Sequence, residues 1–255
     1  MTILPTNPPA RPFYSSPVIE EALARLHFLA ERRSRLGLLL GESGTGKSLL
    51  LEQFARELRG QGAAVASVSL LGLEIRDLLF AIATDWDCCL SERDEPFQLW
   101  RRICDRLVEL RYEQIAAVVL LDDAHAARPD LITAIERLTA ADSAADSHLT
   151  IVCAAEHAGA VNLGARLLDL AELRIELAPW DVADVDAFVN SATSQRQQAP
   201  FDVAATVRLQ ELSHGVPRKA SQLAQLAALA GAGQQKHAVD VATVEAVYEE
   251  LSVTR

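Results

Sequence analysis

Clustered basic charge is missing from this sequence. Its 255 residues carry 24 lysines and arginines against 35 aspartates and glutamates, a formal charge of −11 at neutral pH. Lys and Arg supply most non-specific affinity for nucleic acid by neutralising phosphates, so a chain without a basic block is not expected to hold DNA on its surface. Long apolar runs are missing too. No window approaches the roughly 18 uninterrupted apolar residues of a membrane span, and the amino terminus MTILPTNPPARPF has no basic region followed by an apolar one. A cytoplasmic protein without a membrane span is the expectation. The four cysteines, Cys88, Cys89, Cys104 and Cys153, show no C-x-x-C pair, and Cys153 lies in an apolar run where a buried free thiol is ordinary. No disulfide framework and no cysteine metal site are expected.

The chain instead has a hydrophobic rhythm that changes once along its length. Residues 1–14 hold Pro5, Pro8, Pro9 and Pro12, each of which removes a backbone donor, and read as an extended surface segment. A helix is predicted to start at Ser16 as N-cap with Pro17 at its first position, and to bury Ile19, Leu23, Leu26 and Ala30. Strand LGLLL from Leu36 follows, then a glycine-rich turn and a helix with Leu50, Leu51, Phe54 and Leu58 inward. The runs AAVASVSL, IAAVVLLDD, LTIVCAA and LRIEL are four further strands, separated by helical patterns; AADSAADS from Ala140 reads as a loop. Five strands with helical crossovers predict an α/β fold, a parallel five-stranded sheet over residues 15–178. Beyond Pro179 the strand signal stops. VADVDAFVNSATSQ, FDVAATVRLQELS, VPRKASQLAQLAALAG and DVATVEAVYEELS are helical by spacing, which predicts a small all-helical domain over residues 179–255.

The turn after the first strand carries the chemistry. Gly41, Gly44, Gly46, Lys47 and Ser48 satisfy G-x-x-x-x-G-K-[ST], with Glu42, Ser43 and Thr45 inside the loop and Leu49 just after it. Strand before and helix after are the context in which this pattern cradles phosphate. Its glycines let backbone N–H groups converge on phosphate oxygens. Lys47, expected in solvent at the helix start, brings a point charge to the β and γ phosphates, and the Ser48 hydroxyl can ligate Mg²⁺. The run VVLLDDAH supplies the complement. Asp122, at the end of a buried strand, is placed to hold Mg²⁺ through its water shell, and Asp123 to polarise an attacking water. No N-K-x-D motif occurs, so guanine selection has no support and ATP is the expected nucleotide.

These phrases together resemble one group. The phosphate loop, DDAH after the third strand, and LRIELAPW and SHGVPRKASQLAQLA downstream are similar to AAA+ ATPases of the general secretion pathway protein A (ExeA) type, akin to the ORC/Cdc6-like and transposition-target ATPases. FYSSPVIEEALARLHFLAERRSRLGLLLGESGTGKS is similar as well, so the resemblance runs from Phe13 to Leu251. It implies a P-loop core with a helical lid, nucleotide-dependent assembly of subunits, and a partner of the secretion or pilus type. By position, Glu156 falls where the group has a polar sensor of the γ-phosphate, though Gln or Asn is usual there. Arg218 in GVPR matches a lid arginine that reaches back to that phosphate. Arg166 and Arg174 are the candidates for an arginine finger offered to a neighbouring subunit. Asp123 stands where the group has Glu; its shorter reach implies slow turnover. His125 matches the DEAH position, with a structural role at the strand end. Two other functions stay open: a nucleotide switch of the signalling type that does not hydrolyse, to which G-x-P in GVPR is also similar, and a DNA-associated ATPase. Against the latter stand the net charge and the end of the chain at Arg255, which leaves no winged-helix domain after the lid. The membrane span and peptidoglycan-binding region of the group's secretion members are absent from this sequence.

Overall fold

Apolar runs long enough to be covered on both faces assemble into the centre of the molecule. The computed structural model describes residues 14, 16–141, 148–196, 199–234 and 236–253. In chain order the elements are α1 (Pro17–Glu31), β1 (Leu36–Gly41), α2 (Lys47–Gly60), β2 (Ala64–Ser69), α3 (Ile75–Asp85), α4 (Pro96–Tyr112) and β3 (Ala117–Asp122). There follow α5 (Pro129–Ala141), β4 (Leu149–Ala155), α6 (Gly164–Leu170), β5 (Leu173–Leu177), α7 (Val182–Arg196), α8 (Val203–Ser213), α9 (Pro217–Gly233) and α10 (Val241–Val253). All strand pairs are parallel and the order across the sheet is β2-β3-β4-β1-β5. β1 and β4 are buried at every position and β3 at all but its last, as strands covered by helices on both sides must be.

Alternation along the strands divides the core into two layers. Leu38, Leu40, Val119, Leu121 and Cys153 face α3, α4 and α5, where Leu78, Ile82, Leu99, Ile103 and Ile135 meet them. Leu39, Val118, Leu120 and Val152 face α1 and α2, with Leu26, Leu29, Leu50, Phe54 and Leu58. The Ser16 cap forms as its sequence predicts: the buried hydroxyl accepts the Ile19 N–H at 3.4 Å, with Pro17 in the first turn. The buried face of α1 is rotated from expectation. Ile19, Ala22, Leu26 and Leu29 are inside, whereas Leu23 and Ala30 are half-buried at the margin. The cause is Gly37: a Cβ there would stand 2.4 Å from Leu29 Cδ1, so the missing side chain is the space that Leu29 fills.

The last strand ends at Leu177, and among the described residues the elements that follow are helices, joined by one isolated parallel bridge between Phe201 and Val239, with their own core of Trp180, Val185, Val189, Leu209, Leu223 and Val244. The Trp180 N–H donates to the Gly215 carbonyl at 2.7 Å, which fixes the chain just after β5 against the α8–α9 turn. Gly215 has φ +66°, and a Cβ there would lie 2.1 Å from the Trp180 oxygen, so glycine is required in GVPR. Tyr14 reaches this lid core, with ring centroids 5.7 Å from Trp180 and 5.2 Å from Phe188. The rest of the proline-rich segment and residues 142–147 of the expected loop lie outside the described residues; Ala140 and Ala141 are the last turn of α5. Among the described residues no helix is long and apolar enough to cross a membrane.

Candidate functional site

A cleft of about 500 Å³ opens at the carboxyl ends of the strands, between the sheet and the lid. Residues 43–49 form its floor, Asp123 and Glu156 one wall, and Tyr14, Trp180, Phe188 and Arg218 the roof. The carboxyl ends of parallel strands are where open α/β sheets place ligands.

The loop is shaped by what its glycines omit. A Cβ on Gly41 would meet Thr45 Oγ1 at 2.7 Å and the Leu177 carbonyl at 3.0 Å, while Gly44 and Gly46 adopt φ +86° and +102°. Gly46 is the N-cap of α2, so the loop runs directly into a helix N-terminus whose N–H groups are free of intrahelical partners. Thr45 is buried and donates through Oγ1 to the Glu42 carbonyl at 2.9 Å, bracing the turn from within. Ser48 and Leu49 face the cleft.

Lys47 corrects the expectation of a solvent lysine. It is only 7% exposed, and its Nζ donates to the Gly41 carbonyl at 2.9 Å and the Glu42 carbonyl at 2.8 Å. The ammonium, a donor of three hydrogen bonds, thus ties together the end of β1 and the first residue of the turn, where the Glu42 carbonyl also accepts from Thr45. Burial lowers the Lys47 pKa; the carboxylates of Glu156, Asp122 and Asp123 oppose that shift and the Arg218 guanidinium adds to it. Four expected site residues therefore act on the lysine electrostatically.

Asp122 ends β3, and one of its oxygens accepts the Asp123 N–H at 2.9 Å. Asp123 has left-handed backbone, φ 52° and ψ 34°, which turns its side chain to the cleft; Asp122 is not among the lining residues. Ser69 Oγ, from the end of β2, donates to Asp123 Oδ2 at 3.0 Å. Sequence reading passed over Ser69, since a serine ending an alternating strand carries no motif; only the pairing of Ser69 with Asp122 across β2 and β3 brings it to the acid. It also passed over the aromatic roof. Trp180 and Phe188, with centroids 5.1 Å apart, and Tyr14 come from separate segments. Burial and then the Asp184 charge raise the Tyr14 pKa, so its hydroxyl stays a donor at neutral pH.

His125 takes the structural place expected of it. Its Nδ1 accepts the Glu156 N–H at 3.3 Å, and the Asn162 amide donates to its carbonyl at 3.0 Å, tying the β3 and β4 ends together. Arg218 enters from α9. Its backbone N–H donates to the Gly44 carbonyl at 3.1 Å, and Val216 and Arg218 side chains lie against Gly44, so lid and phosphate loop touch directly. Arg166 and Arg174 do not line this cleft. Arg166 is 3.9 Å from Glu136, and Arg174 donates to the Leu168 carbonyl at 2.9 Å.

The donor set fits Mg²⁺ bound with nucleotide, which keeps several waters and takes one or two carboxylates besides phosphate oxygens. The Ser48 hydroxyl and the Asp122 oxygen not engaged by the Asp123 N–H are of that kind. Among the described residues no three His, Cys, Asp or Glu side chains cluster as a separate metal cage.

Comparison with known proteins agrees with this architecture. The AAA domain family matches residues 30–160, just over half of the chain. The general secretion pathway protein A of Aeromonas hydrophila is 26% identical over 98% of this chain, which spans 46% of that relative's length. Among solved structures, Cdc6p of Pyrobaculum aerophilum matches with a TM-score of 0.67 and 16% identity, over 91% of this chain and 66% of that one. The Aeropyrum pernix ORC1 protein, solved in complex with DNA, matches with 0.67 and 18%, over 93% and 66%. The Thermotoga maritima RuvB Holliday junction branch migration motor matches with 0.61 and 19%, over 93% and 70%.

Proposed function

The chain belongs to the AAA domain family, and from that premise we propose that it is an ExeA-like, Mg²⁺-dependent ATPase in which bound nucleotide sets the position of the lid. The observation that carries the proposal is the convergence of loop residues 43–49, Asp123, Glu156 and Arg218 on one cleft from five different elements or turns. In this reading the N–H groups at the start of α2 and in the glycine loop receive the phosphates. Lys47 leaves its loop carbonyls to contact the β and γ phosphates, exchanging two neutral acceptors for charged ones. Tyr14, Trp180 and Phe188 offer flat apolar surface to the base. Ser48 and Asp122 would hold Mg²⁺, which supplies charge neutralisation between the phosphates when bound. Asp123, steadied by Ser69, accepts the proton of the attacking water. Arg218 is carried on the lid helix whose first turn already bonds to Gly44, so a ligand that shifts the loop also shifts the lid.

A second reading, a switch that binds nucleotide without hydrolysis, is favoured by that same Arg218–Gly44 bond, which joins lid and loop with no chemistry required. Single-turnover phosphate release separates the two. The likeness to general secretion pathway protein A supports a partner of the secretion or pilus type, and Arg166 and Arg174 remain the candidates to reach a neighbouring subunit; an unchanged mass by light scattering with a non-hydrolysable ATP analogue would count against assembly.

The direct test is Lys47→Ala in calorimetric titrations with Mg²⁺-ATP. Affinity is expected to fall at least about tenfold, since a charge-assisted contact is lost. Because the lysine is buried and satisfies two carbonyls, the variant should also lose about 1–2 kcal/mol of stability. Unchanged affinity would remove the phosphate-loop assignment.

A further inference from the structure

The sheet order places β4 between β1 and β3, so the residue after β4 stands between the phosphate loop and the Asp122–Asp123 pair. That residue is Glu156. Register sets Ala155 opposite Leu40, which brings Glu156 beside Gly41, the first residue of the loop. Its backbone is held by the 3.3 Å bond to His125, and its carboxylate lies 3.9 Å from His125 Nε2. The imidazole is in turn confined by Gly159, where a Cβ would come within 2.6 Å of His125 Cβ. The Glu156 side chain lines the cleft, and of the charges acting on the Lys47 ammonium its own is the largest, ahead of Asp122, Asp123 and Arg218. A carboxylate on a held backbone thus shares the cleft with Lys47, where in the nucleotide-binding reading the outermost phosphate of a triphosphate would lie.

We infer that Glu156 sets the phosphate-number preference of the site, so that the protein holds a nucleoside diphosphate more tightly than the corresponding triphosphate. The inference rests on the nucleotide-binding reading above. A third phosphate adds one negative charge to the ligand and must compete with Glu156 for Lys47. Arg218 offsets this from the lid, but it is exposed and acts on Lys47 least of the four groups. Repulsion between two unit charges a few ångströms apart in a solvent-lined cleft amounts to roughly tenfold in a binding constant. A diphosphate ends before this region and escapes the penalty. The resting protein is then one that retains the product of hydrolysis.

The test titrates the whole chain calorimetrically, in Mg²⁺ buffer, with ADP and with the non-hydrolysable triphosphate AMP-PNP. The parent is expected to bind ADP about tenfold more tightly. Glu156→Gln should tighten AMP-PNP by about tenfold and move ADP by less than about threefold, whereas Glu156→Asp, which keeps the charge, should retain the diphosphate preference. Equal affinities in the parent, a triphosphate preference, or an equal change for both ligands in Glu156→Gln would overturn the inference and leave the nucleotide site standing. A parent that binds neither ligand would overturn both. The parent comparison decides even if a variant fails to fold.

Discussion

Replacing Asp123 by asparagine removes one charge and almost nothing else. The residue occupies left-handed backbone, where Asp and Asn are the side chains best tolerated outside glycine. Asparagine matches its size, can accept the Ser69 hydroxyl that now lies 3.0 Å from Oδ2, and leaves the Asp123 N–H on Asp122. Stability should therefore stay within about 0.5 kcal/mol. Catalysis should not. A positioned base contributes about 10²–10⁴ in rate, or about 3–5 kcal/mol of barrier. Phosphate release at saturating Mg²⁺-ATP is thus expected to fall at least about a hundredfold, with ATP affinity unchanged. Asp123→Glu probes reach from the other side. The longer carboxylate extends toward the water and should speed turnover, but glutamate fits left-handed backbone poorly and must abandon the Ser69 bond, at a cost of about 1 kcal/mol. Faster hydrolysis with a lower melting temperature is the expected pair of signs. If Asp123→Asn hydrolyses ATP as fast as the parent, the base lies elsewhere and the enzymatic reading fails.

Two further perturbations probe the lid. Gly44→Ala forces an L side chain onto φ +86° and sets its Cβ 3.0 Å from Val216 Cγ1 and 3.1 Å from Arg218 Cβ. The change should cost about 1–3 kcal/mol and release the Arg218 N–H from the Gly44 carbonyl; hydrogen exchange at Arg218 as slow as in the parent would refute the latch. Asp240 leads into α10 and its carboxyl is held below the usual carboxylate range, chiefly by hydrogen bonds from Lys236 at 2.8 and 2.9 Å, then by the Thr243 hydroxyl and N–H. A depressed folded pKa contributes stability above the unfolded value of about 4 and loses it as pH falls further. The melting-temperature gap between parent and Asp240→Asn should accordingly be widest near neutrality and narrow below about pH 4; a gap independent of pH would rule out the carboxylate as its source.

Motifs that are local in the chain were legible in it. G-x-x-x-x-G-K-[ST] dictates its own geometry, because the glycines and the helix start that make the cradle lie within eight residues, Gly41 to Ser48. The same holds for the Ser16 cap, for five strands recognisable as apolar runs, and for the change to helical period after Pro179, each set by near neighbours. What sequence left open depended on distant partners. Leu29 rather than Ala30 faces the sheet because Gly37 makes room for it, and Lys47 is buried because its own loop folds back over it. Ser69 meets Asp123 only through the β2–β3 register, and Tyr14 joins Trp180 and Phe188 only because the chain before α1 packs against the helices that follow β5. Glu156 shows the division most plainly. Its position after a strand is written in the sequence, but that it lines one cleft with the glycine loop and Asp123 follows from β4 inserting between β1 and β3, a choice made by packing across the whole sheet.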